Sequence, residues 1–178
     1  MSFGPAQGSS SPVGSGFSVQ AGSSSTFYKP VTVQAVSVAA VGNVGAGEDD
    51  LITATLPANA LSTNGMALRI TAWGTTANNA TGKTLKVYLG TQILLTNALT
   101  ASIAGVWRAE CIVVRTGVGG QDYSGSLMSL GAAGVALNDV ENGAATQDET
   151  AALAIKCTGE AGANNDIVQE GLVVELLN

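Results

Sequence analysis

The chain has 178 residues, of which 46% are hydrophobic and 4% aromatic, and its formal net charge is −6. That length fits one domain with a real core plus a short appendage. Seven scattered Lys and Arg residues argue against binding to nucleic acid or to an anionic membrane surface, and the absence of histidine removes Ser–His–Asp and Cys–His catalysis together with the commonest transition-metal ligand.

Residues 1–26 hold nine serines and five glycines. Such a tract buries little and samples many backbone states. Phe3, Val13, Phe17 and Val19 interrupt it at intervals, which suggests an arm that orders on a partner by dropping apolar anchors into surface pockets. A solvated tail is the plainer alternative. The composition changes at residue 27, and residues 27–178 are expected to form one all-β domain.

Residues 27–41 (FYKPVTVQAVSVAAV) are valine-rich and strand-like, with Pro30 near the start, where a strand tolerates it. Residues 42–47 read as a loop. Residues 50–56 (DLITATL) alternate Ile52, Ala54 and Leu56 against Thr53 and Thr55, as a half-buried strand does, and Pro57 ends them. Residues 58–65 read as a connection with room for one helical turn. In residues 66–73 (MALRITAW), Leu68, Ile70 and Ala72 share one face. In residues 83–89 (KTLKVYL), Leu85, Val87 and Leu89 point in while Lys86 and Tyr88 point out. Gly90-Thr91 turns the chain into residues 92–96. Residues 106–116, 122–130, 149–158 and 167–177 complete the set. Eight or nine short strands with turn signals between them and no long amphipathic helix predict a sandwich or barrel.

The chemistry-bearing residues are few. Cys111 and Cys157 belong to no CxxC pair and sit in expected strand cores, so buried reduced thiols are expected; a disulfide stays open if their strands are neighbours. Glu48-Asp49-Asp50 lacks the spacing of a calcium loop and reads as a solvated strand start. The carboxylate pairs Asp139/Glu141 and Asp148/Glu149 read as exposed loop charge, with acid/base work on a sugar as the alternative. No phosphate-cradling glycine motif follows a strand. Nothing in the sequence calls for a cofactor or a metal. Trp73 and Trp107 stand at strand ends, where an indole can stack on a sugar but more often anchors a core or a subunit interface. The N-terminus carries no signal-peptide pattern and no apolar run of about 20 residues exists, so no membrane partner is expected and assembly in a reducing cytoplasm is.

Five segments together resemble a module of tailed-bacteriophage virion proteins: LPAN at 56–59, RITAWG at 69–74, KTLKVYLG at 83–90, WRAECIVVRTG at 107–117 and the apolar end at 172–177. The resemblance spans about residues 48–178 and leaves out the arm. It implies an antiparallel jelly-roll sandwich, a homotrimer, and a place on the capsid or at the end of a fibre or tail, with no shared catalytic residue. The expected function is therefore non-enzymatic: a capsid decoration protein of the virion surface, with the major capsid protein or another virion protein as partner. The alternative is a fibre or tail-tip module that binds a host surface glycan. The short single domain and the scarcity of aromatics favour decoration.

Overall fold

A computed structural model describes residues 31–99, 104–131 and 136–177. The arm, with Phe3, Val13, Phe17 and Val19, lies outside the described residues. Within them the chain forms eleven strands: β1 (Thr32–Ser37), β2 (Val41–Gly42), β3 (Gly47–Leu56), β4 (Ala67–Thr76), β5 (Lys83–Leu89), β6 (Gln92–Leu99), β7 (Gly105–Gly117), β8 (Gly120–Gly131), β9 (Ala136–Ala145), β10 (Leu153–Ala161) and β11 (Ile167–Leu177).

The strands make two antiparallel sheets that face each other as a sandwich. The larger runs β1-β11-β4-β7-β8-β9, with β2 also on β11; the smaller runs β3-β10-β5-β6. The pairings are nested about the tight turn at Gly90. β5 pairs with β6, β4 with β7, β3 with β10 and β1 with β11. A long hairpin rolled up in this way is a jelly roll, as the alternation pattern and the resemblance both predict. One element is additional to that nesting. The hairpin β8–β9 lies between β7 and β10 in sequence and extends the larger sheet past β7.

Alternation places the core. Leu68, Ile70 and Ala72 on β4 face Leu85, Val87 and Leu89 on β5 across the sandwich, and all six are at most 1% exposed. Cys111, Val113, Leu127, Ile155 and Val174 fill the same layer. Trp107 joins it as a core anchor: its indole N–H donates to the carbonyls of Thr75 and Val168, both at 3.2 Å. That ring lies against Gly74, where any Cβ would overlap the Val168 carbonyl and the indole. Glycine is thus required opposite this tryptophan.

Four expectations need correction. β9 was not foreseen. β10 begins at Leu153 rather than 149, because residues 147–151 form a turn that points Glu149 inward. Glu149 is not exposed loop charge: it is 4% exposed and bound to Arg115. Asp148 beside it is exposed, and the connection at 58–65 holds turns, not a helical turn.

Candidate interaction surface

The two sheets have unlike outer faces. On the smaller sheet the outward positions are polar and tied to one another. Glu48 accepts from the Tyr88 hydroxyl at 2.6 Å and from Thr158 at 2.7 Å, and it also pairs with the Lys86 ammonium. Burial opposes its charge, but the hydrogen bonds from Lys86, Tyr88 and Thr158 outweigh that and bring Glu48 down to about 2. The same contact with Glu48 pushes Lys86 up. Lys156 pairs with Asp50 and stands 5.3 Å from the centre of the Tyr88 ring. The acidic triplet therefore does start a strand, but two of its members are spent on neighbours across the sheet.

The outer face of the larger sheet is different. Strand register sorts its outward residues into rows across the sheet. One row runs Val33, Glu175, Arg69, Ile112, Ser124, Asn142, and the next runs Val36, Val173, Thr71, Glu110, Ser126, Val140. A third holds Gly171, Trp73, Arg108 and Met128, and a fourth Val168, Thr75, Val106 and Leu130. Val36 is 61% exposed, Val106 56%, Met128 51%, Leu130 49% and Val140 71%. The four charges in these rows cancel. Arg69 pairs with Glu175 at 3.4 Å and Glu110 at 4.0 Å, and Arg108 pairs with Glu110 at 2.9 Å. An open depression of about 290 Å³ lies between Ile112 and Val140, over Ser124 and Ser126.

Trp73 belongs to this outer face and Trp107 to the core, so the two tryptophans take different roles. The Trp73 indole lies flat over Gly171, where a Cβ would overlap the ring. Sequence reading named Trp73 but missed Met128, Leu130 and Val140. The run Ile112-Val113-Val114 was the available sign, because a strand that is apolar at consecutive positions has no purely polar face.

The sheet edges are also unequal. β3 begins with Glu48, Asp49 and Asp50, β9 carries Asp139 and Glu141, and the Glu141 carboxylate accepts the Thr96 N–H of β6 at 2.7 Å. Charge on an edge discourages strand addition. β1 has no such guard: residues 31–47 carry no charge, Val31, Val33 and Val38 are exposed, and only a bulge between Val33 and Ala35 interrupts its register.

Cys111 and Cys157 are free and buried, and burial pushes both thiols up to about 12. Among the described residues no group of three or more His, Cys, Asp or Glu side chains is placed to hold a metal ion.

No family model matches the chain, and no curated protein matches it. Similar solved structures include the CBM2 module of the evolved Dit of Lactobacillus casei BL23 phage J-1, 9% identical over 69% of this chain and 67% of that one, with a TM-score of 0.38. Peanut lectin bound to a nine-residue peptide is 8% identical over 83% of this chain and 91% of that one, with a TM-score of 0.35. VP2 from a subviral particle of infectious bursal disease virus is 13% identical over 84% of this chain and 32% of that one, with a TM-score of 0.33.

Proposed function

We propose that this chain is a non-enzymatic structural protein of a tailed-phage virion, a capsid decoration protein that assembles as a homotrimer and is held on the capsid lattice by residues 1–26. The observation that carries the reading is the contrast between the two outer faces. One is polar and satisfied within the chain, as a solvent-facing surface should be. The other carries Val36, Val106, Met128, Leu130 and Val140 about half exposed or more, and no other described residue covers them, as suits a surface intended for protein. The five motifs within residues 48–178 support the virion assignment, and the jelly-roll scaffold suits it.

The arm supplies the attachment in this reading. Fully extended, 26 residues reach at most roughly 90 Å, enough to cross more than one neighbouring subunit. Ordering them costs about 1 kcal/mol or more per residue, so the contacts they make must be extensive. The test mixes undecorated heads with the full chain and with a variant lacking residues 2–26. The full chain should co-sediment with heads, and the deletion should fold yet stay in the supernatant. Equal binding by both would move attachment to the jelly roll. Specific hits on a glycan array, or labelling at the tail end of particles, would replace decoration by a glycan-binding tip.

A further inference from the structure

We infer that residues 16–21 (GFSVQA) lie as a short antiparallel strand on the free edge of β1 in their own chain. This goes beyond the attachment role proposed for the arm. It says where the arm is kept while the chain is free, and it does not rest on a capsid partner.

The edge calls for a cover. β1 and β2 pair with β11 and, among the described residues, with no strand on their other side. Such an edge offers N–H and C=O groups to any extended chain, and proteins guard it with charge or cover it. β3 and β9 carry carboxylates, and Glu141 occupies an N–H of β6. Residues 31–47 carry none, and Val31, Val33, Val36 and Val38 are each more than half exposed. The rim is incomplete as well: Ala35 and Val41 pack on the core yet are only half-buried.

Tether, length, charge and pattern select the arm as the occupant. The chain enters β1 directly from the arm, so the arm meets this edge at the effective concentration of a short linker, on the order of millimolar, whereas a second copy or another protein meets it only at its own concentration. Ten residues, 22–31, separate the segment from β1. They reach about 33–36 Å when extended, against about 4.8 Å between neighbouring strands, so the chain has room to reverse. Gly22 and the serines after it suit that turn. Lys29 is the only charged side chain before Glu48, so segment and edge do not repel each other. Phe17 and Val19 alternate with Ser18 and Gln20, and residues 16–21 match the six residues of β1 in length. Pro12 and Pro30, which cannot donate to a ladder, stand outside the segment. With Phe17 and Val19 turned inward, the segment closes the rim over Ala35 and Val41, while Ser18 and Gln20 face water.

Hydrogen exchange read by mass spectrometry tests this on the full chain, at micromolar concentration and after about tenfold dilution. Residues 16–21 and 31–38 should both exchange slowly, at rates that dilution leaves unchanged. In Ser18→Pro/Val19→Pro, and in the chain lacking residues 2–26, residues 31–38 should exchange about tenfold faster. Successive amides of a strand point to opposite sides, so the paired prolines remove a ladder bond in either register. Unchanged protection of β4 and β7 shows that each variant is folded. If residues 16–21 exchange as an open chain does, or residues 31–38 exchange alike in all three proteins, the arm is not on this edge and the inference is overturned. Protection that dilution removes would put the arm on the edge of another copy and overturn the pairing within one chain. Capsid heads take no part in the experiment, so its failure leaves the attachment reading standing, and a failure to bind heads leaves the pairing standing.

Discussion

Arg115 and Glu149 are 34 residues apart in sequence, yet the Arg115 Nε donates to Glu149 Oε1 at 2.8 Å with 10% and 4% of their side chains exposed. Glu149 also accepts from the Gly119 N–H at 2.9 Å and from Gln121 at 3.3 Å, and its backbone carbonyl takes the Asn59 N–H at 2.7 Å. The carboxylate thus fastens β7 and the β7–β8 turn to the 147–151 turn, and the backbone carbonyl of the same residue holds the connection after β3.

Removing one partner of this pair leaves the other buried and uncompensated. Arg115→Ala should destabilise the fold by about 3–5 kcal/mol, measured by urea denaturation. Arg108→Ala breaks an exposed pair and should cost well under about 1 kcal/mol in the same assay.

Acid should loosen the polar face of the smaller sheet over a defined interval. Glu48 titrates at about 2 in the fold against 4.5 for the ordinary side chain. A carboxylate held below its unfolded value gives its full stabilisation above the unfolded value and loses it as pH falls through the folded one. The urea midpoint should therefore fall between about pH 4.5 and about pH 2, and Glu48→Gln should flatten that fall. It should not abolish it, because Asp166 and Glu149 are also held down, each against its burial: Asp166 by hydrogen bonds from Thr81 and Asn79, Glu149 by its own backbone N–H and by Arg115.

Gly171 and Trp73 form a pair that permits no side chain between them. Gly171→Ala should push the indole off the sheet and red-shift its emission. In a chain also carrying Trp73→Ala, the stability cost of Gly171→Ala should largely disappear, a coupling that a double-mutant cycle reads directly.

The two thiols should report the opening of the core. Neither should react with a thiol reagent in the native chain, and both should react at the same rate, set by unfolding, since burial holds each at about 12 and only the thiolate attacks. Faster reaction at Cys111 alone would show that the larger sheet opens locally.

The strands that alternate could be read from sequence. Leu68/Ile70/Ala72 and Leu85/Val87/Leu89 name the core face of β4 and β5 without a structure, and the same parity puts Lys83 inward, where its ammonium reaches Asn79 Oδ1 at 2.7 Å. β9 reads ALNDVENGAA, with few β-formers and two carboxylates; the backbone ladder to β8 makes it a strand. The rows of the outer face were out of reach for another reason. Val140, Glu110 and Val173 fall in one row through the register of five strands, and register is a property of pairing, which no single segment records.

The position of β11 bears on how the chain is made. Of the described strands it is the last to be made, yet it lies between β1, the first of them, and β4. Among the described residues β11 is the ladder partner of β1, so until residues 167–177 emerge its uncharged valines lack that strand. The larger sheet therefore cannot be laid down in the order of translation. A chain stopped after Asp166 should be digested throughout by protease, without a resistant N-terminal fragment.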